Sequence, residues 1–174
     1  MQTGGENMNA ITITDMAGAS VEHSSVIVNF AAMVKSQLKG SLCRVYTDNV
    51  KYKWQLADDS EKVVIPDASI NCQIRARRGN SFIIAPQFVM EVLSPSTADY
   101  DRGEKLHLYE AQEIPEYWIV DWRNREIYIY DLGYQDDVPK YYLFKIIHNE
   151  NKDELRMIHM PNVKIDFDEL FDID

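Results

Sequence analysis

The sequence predicts an α/β (α+β) domain in which a β-sheet, its central strand covered on both faces, is flanked by helices, with further β-hairpins beside it. Three observations carry this. An apolar stripe at helical spacing, Val26, Phe30, Met33 and Val34, begins after Ser20. The run "FVMEVL" at 88–93 is short and almost wholly apolar, the pattern of a strand in the middle of a covered sheet. Several other short runs alternate apolar and polar residues between turn signals, as hairpin strands do. At 174 residues and 45% hydrophobic, the chain can bury one real core, and no shift in composition marks a second.

Taken in order, residues 1–18 carry Gly, Thr and Asn with little periodicity and are expected to form a loose tail or edge element, leaving 19–174 as a single domain. The first helix runs from Ser20 towards Gly40, which follows it like a C-cap. Glu22 lies one turn before Val26 on the apolar stripe. Two roles are open to it: favouring the helix N-terminus electrostatically, or pointing into a shared polar site. "LCRVYTDNVKYKWQL" reads as a hairpin turning at Thr47-Asp48-Asn49, with Tyr52 and Trp54 on a core face and Lys51 and Lys53 on a cationic one. "KVVIPDASINCQI" reads as one strand notched at Pro66, with Asp67 directly after the notch.

"RARRGN" is a turn between strand-like runs and gathers Arg75, Arg77 and Arg78; it is a solvated hairpin tip or a basic contact surface. Strand alternation in "FVMEVL" puts Val89, Glu91 and Leu93 on one face and Met90 and Val92 on the other. "SPST" then breaks the strand and offers Ser96 or Thr97 as the cap of a helix reaching about Gln112. "IPEYWIVDW" and "REIYIYDL" form strands around an Arg123-Asn124 turn. "YYLFKII" and "LRMIHM" add further strands, and the acidic end closes in a short helical or irregular segment.

Composition narrows the function. No run approaches the ~20 apolar residues of a membrane span, and the first residues lack a basic-then-apolar signal pattern, so a soluble, cytoplasmic protein is expected. Cys43 and Cys72 lie far apart, with no CxxC or His partner pattern; they are expected to be free, buried small hydrophobes. The net charge of −10 requires any nucleic-acid partner to meet a local basic surface, and the three arginines with Lys51 and Lys53 are the candidates.

The chemistry concentrates in three acids placed where the local pattern expects partial burial: Glu22, Asp67 and Glu91. Carboxylates brought together raise one another's pKa unless a cation lies between them, and an all-oxygen cluster suits Mg²⁺ or Mn²⁺. Lys105 follows on the next helix, one turn after Asp101. It is either half of a surface ion pair or the cationic member of the site. His23 and His107 read as surface or capping groups, Asp121 as a turn cap, and Trp118, Trp122 and the tyrosines of "EIYIYDLGY" as core and cross-strand pairs rather than a base-stacking platform.

"IPDASI" followed by "FVMEVLSPSTADYDRGEKLHLYEAQEIPEYWIVDWRNREIYIYDL" resembles the Uma-type endonucleases, a bacterial group placed in the PD-(D/E)XK nuclease superfamily. The resemblance implies a restriction-endonuclease-like fold with a central mixed sheet, and Mg²⁺- or Mn²⁺-dependent hydrolysis of DNA phosphodiesters. It implies Asp67 and Glu91 as the metal-holding acids, with the Val92 carbonyl beside them and Glu22 as the extra acid of the first helix. Leu93 stands two positions after Glu91, where the superfamily pattern has lysine, and the resemblance implies that the lysine has migrated to Lys105. It also implies a homodimer. The alternative, favoured by the net charge and by Leu93, is a weak or inactive DNA-binding protein that keeps the fold.

Overall fold

The computed structural model of the chain describes residues 20–94 and 101–173, the side chains of Asp101 and Arg102 excepted. The expected tail at 1–18, the Ser96 or Thr97 cap and the Asp101–Lys105 pair therefore lie outside the described residues. Helix α1 (Val21–Gln37) starts where the Ser20 hydroxyl accepts from the His23 backbone N–H at 3.2 Å. Its stripe of Val26, Ile27, Phe30, Met33 and Val34 is buried.

Among the described residues ten strands follow, β1 (Arg44–Thr47), β2 (Lys51–Gln55), β3 (Glu61–Val64), β4 (Ala68–Asn71), β5 (Arg77–Arg78), β6 (Ser81–Phe82), β7 (Phe88–Val92), β8 (Glu116–Asp121), β9 (Glu126–Gln135) and β10 (Val138–Ile147). They form two sheets. The larger has the order β1-β4-β7-β8-β9-β10 and is mixed, because β7 and β8 run parallel while its other neighbours are antiparallel. The smaller has the order β3-β2-β6-β5. Between β7 and β8, a π-helical turn (Asp101–Lys105) runs into helix α2 (Leu106–Ala111), the helical crossover that parallel neighbours require. A last short helix, α3, spans Phe167–Leu170.

All five residues of β7 are buried, and its alternation divides the core as expected. Phe88, Met90 and Val92 join α1, Trp118 and Val120 on one face. Val89 and Leu93 join Tyr109, Tyr117, Ile119 and the small sheet's Tyr52, Trp54 and Phe82 on the other. The central strand is thus covered twice, as its unbroken apolar run required.

Four local expectations are corrected. The Thr47-Asp48-Asn49 turn does not close a hairpin: β1 pairs with β4, whereas β2 pairs with β3 and β6, so the turn moves the chain from one sheet to the other. "KVVIPDASINCQI" is two strands in different sheets, separated at Pro66-Asp67, because proline supplies no N–H to carry a ladder through. "LRMIHM" forms no strand; the Ile158 and His159 backbone N–H groups donate to the Glu116 carboxylate, both at 2.9 Å. Cys43 and Cys72 are half-buried and form a disulfide that fastens the start of β1 to the end of β4.

Other expectations stand. Asp121 accepts from the Arg123 and Asn124 backbone N–H groups at 3.2 and 3.3 Å. His107 is a surface group and Trp118 is core. The β9–β10 hairpin turns at Asp136-Asp137, both with positive φ (51° and 63°), the conformation whose twist matches paired strands.

Candidate active site

Strand β7 sends the Glu91 side chain toward α2, and the carboxylate is wholly buried. Lys105 and Tyr109 stand one helical turn apart and converge on it. The Lys105 Nζ lies 2.9 Å from Oε2, and the Tyr109 hydroxyl donates to Oε1 at 2.5 Å. The Asp67 backbone N–H reaches Oε2 at 3.4 Å. Lys105 thus sits in a buried cluster with Glu91, with only 15% of its side chain exposed. Tyr109 carried no signal beyond its spacing from Lys105, since tyrosine on a buried helix face is ordinary core.

Asp67 is placed by the crossing between sheets. The β4–β7 ladder ends at Ala68 opposite Met90, leaving the Val92 N–H beyond it. Asp67 closes that gap, its Oδ2 accepting from Val92 N–H at 2.7 Å. The same oxygen lies 3.3 Å from His23 Nε2. Asp67 and Glu91 are therefore neighbours: Glu91 accepts from the Asp67 backbone N–H, and Asp67 accepts from that of Val92, the residue after Glu91.

His23, not Glu22, is what α1 brings to this cluster. Successive helix residues point about 100° apart, so one position decides which of the two is buried. His23 is 7% exposed, whereas Glu22 is half-buried. The Glu22 carboxyl is held below its ordinary range by its own backbone N–H and the Ser20 hydroxyl, which is the helix-terminus role. The expectation of His23 as a surface or capping group is corrected: the preceding serine caps the helix, and the imidazole turns inward.

Burial pushes the Glu91 carboxyl up to about 8; Lys105 pulls it down, and the Asp67 charge adds to the rise. Burial pulls His23 down, but its hydrogen bond and attraction to Asp67, helped by the nearby Val92 backbone, outweigh this and leave it raised. Burial likewise raises Glu116, against its three hydrogen-bond donors. Each of these groups holds its proton more tightly folded than unfolded. Its stabilisation is complete below the unfolded value and is lost as pH rises through the folded one, for Glu91 between 4.5 and about 8. In chelator, the melting temperature is expected to fall from pH 5 to pH 8, and Glu91→Gln to remove most of that slope. Parallel wild-type and variant profiles in thermal melts would contradict this.

The basic candidates divide. Arg75, Arg77 and Arg78 are exposed, and Gly79 (φ 59°) makes the tight turn between β5 and β6. Lys51 and Arg78 both pair with Ser81, so they share one row across the small sheet. Lys53 is instead tied to Glu61 at 2.8 Å.

The oxygens present fit a hard cation. Asp67 Oδ1 has no partner among the described residues, the Glu91 carboxylate is adjacent, and Val92 belongs to the same cluster. Among the described residues no three His, Cys, Asp or Glu side chains converge closely enough to hold a metal by themselves. Mg²⁺ takes one or two carboxylates and completes its shell with waters and substrate phosphate, so a two-carboxylate site does not need a third such side chain.

Residues 12–157 match the family model of Uma2, described as "Putative restriction endonuclease". Over 116 residues the chain is 34% identical to "Uncharacterized protein slr1290" of Synechocystis sp. (strain ATCC 27184 / PCC 6803 / Kazusa); the match takes in 66% of this chain, which spans 60% of that relative's length. The fold is similar to a crystal structure titled as a putative nuclease belonging to DUF820 from Anabaena variabilis ATCC 29413. The TM-score is 0.60 at 17% identity, covering 90% of this chain and 83% of that one. Among the described residues no helix is long and apolar enough to cross a membrane.

Proposed function

The chain belongs to the Uma2 family, and from that premise we propose that it is a metal-dependent endonuclease that hydrolyses DNA phosphodiester bonds at the Asp67–Glu91–Lys105 cluster. The observation that carries this reading is Lys105, which reaches a wholly buried carboxylate at 2.9 Å from the following helix. It meets the carboxylate that a lysine at position 93 would have flanked, and so supports the migrated-lysine form of a PD-(D/E)XK site.

Asp67 and Glu91 would hold Mg²⁺ or Mn²⁺, with the Val92 carbonyl as a third oxygen, and Glu22 stands outside this set. Such a cation, when bound, polarises the scissile phosphate and acidifies a water for in-line attack. Lys105 keeps its ammonium beside the reacting phosphate oxygens, where it offsets the negative charge that develops on them. Tyr109 fixes one oxygen of Glu91 so that the other faces Lys105. The exposed row of Lys51 and Arg78, with Arg75 and Arg77, meets the DNA backbone, the local basic surface that a chain of net charge −10 needs. The reading includes a cytoplasmic location and a homodimer, the latter checked by light scattering.

Supercoiled, linear and single-stranded DNA incubated with Mg²⁺ or Mn²⁺ test the reading. Wild type is expected to cut at least one of them only with the cation present, and Lys105→Ala to lose about 10²- to 10³-fold in rate at matched folding. Cleavage by Lys105→Ala at the wild-type rate would remove Lys105 from the reaction. A wild type that binds DNA and cuts none of the three would favour the DNA-binding alternative.

A further inference from the structure

We infer that His23 is a positioning residue: it holds Asp67 by one oxygen so that the other is presented to the cation site. This rests on the reading of Asp67 and Glu91 as that site, but it begins from separate geometry. The His23 Nε2 and the Val92 N–H meet the same oxygen of Asp67, at 3.3 and 2.7 Å, while Oδ1 has no partner among the described residues. A carboxylate gripped on one oxygen from two directions cannot rotate freely, so its second oxygen keeps a fixed direction.

The grip joins three elements. His23 comes from the first turn of α1, Asp67 from the crossing between sheets, and Val92 from the end of the central strand. Only at this point does α1 meet the cluster through a polar side chain with a described partner there. His23 Nδ1 is itself buried and has no hydrogen-bond partner among the described residues. An unsatisfied buried nitrogen is costly, and an apolar residue would avoid the cost if this helix position served packing alone.

The Val92 N–H gives a readout that needs no metal. Beyond the end of the β4 ladder, its described acceptor is Asp67, so its hydrogen exchange reports how firmly that carboxylate is held. In metal-free protein, His23→Ala is expected to speed exchange at Val92 about ten-fold relative to the neighbouring Met90 and Trp118 amides. His23→Gln, whose amide nitrogen can reach the same oxygen, is expected to restore it. A merely structural role would speed all slow amides together. Calorimetry with Mn²⁺ on the same three proteins, below their melting temperatures, is expected to show affinity about ten-fold weaker for His23→Ala and near wild type for His23→Gln.

Val92 exchange that changes only in step with its neighbours, or an unaltered Mn²⁺ affinity in His23→Ala, would overturn the assignment. If wild type itself binds no Mn²⁺, the cation-site reading fails. Val92 exchange then still decides whether His23 holds Asp67.

Discussion

Glu91→Gln is expected to abolish metal-dependent cleavage, by about 10³-fold or more, while leaving the protein folded. The amide keeps the volume of the side chain and an oxygen for Lys105 or Tyr109, so the buried pocket stays filled and largely bonded. What it removes is the negative charge, and a cation ligand worth several kcal/mol of transition-state stabilisation corresponds to that loss of rate. Glu91→Ala separates this from a structural effect. It removes the carboxylate that the Lys105 ammonium, 15% exposed, and the buried Tyr109 hydroxyl both meet, at an expected cost of about 3–5 kcal/mol. Comparable melting temperatures for wild type and Glu91→Gln, with activity lost, would place the role of the charge in chemistry. Activity retained in Glu91→Gln would remove Glu91 from the reaction.

A second large effect on stability is expected at a site with no part in the chemistry. Glu116 is fully buried and accepts from Trp118 Nε1 at 2.7 Å and from the Ile158 and His159 backbone N–H groups. One carboxylate therefore fastens the segment after β10 to the start of β8. Glu116→Ala leaves three donors without their acceptor; at about 1 kcal/mol each for the part-buried Ile158 and His159 N–H groups and about 1–3 kcal/mol for the buried Trp118 Nε1, a loss of about 3–5 kcal/mol is expected in urea unfolding. Glu116→Gln keeps the shape and one acceptor oxygen and is expected to cost roughly half as much. A loss below about 1 kcal/mol for the alanine variant would show that water takes over those donors.

Much of this arrangement was legible in residues 88–121. "FVMEVL" states a doubly covered strand, and its alternation puts Glu91 opposite Met90 and Val92, as the two core faces show. Lys105 could be placed on the right side of its helix because an apolar stripe runs beside it. Long-range pairing was not legible in the same way. β1 and β2 have hairpin spacing around a good turn, and nothing local says that their partners lie in different sheets. Cys43 and Cys72 meet only because β1 pairs with β4. "LRMIHM" alternates like a strand, yet its N–H groups are taken by a glutamate 42 residues away in sequence.

His23 shows the finest of these limits. It and Glu22 are adjacent, polar and at the start of one helix, and choosing between them requires the helix phase to within one residue. The apolar stripe does not settle this, because both positions border it. The Ser20 cap sets where the helix starts, and the packing of Phe30 and Val34 sets which way it faces.

Titration of Mn²⁺ into the protein, followed by calorimetry and by the melting temperature, tests the central claim without requiring that the right DNA substrate be found. Wild type is expected to release or absorb heat at a saturable site and to melt higher with the cation, while Glu91→Gln at matched folding shows neither. Because Glu91 is raised to about 8, binding displaces its proton, and the affinity is expected to tighten from pH 6 to pH 8. No heat and no rise in melting temperature for wild type at pH 8 would contradict the assignment of Asp67 and Glu91 as a cation site.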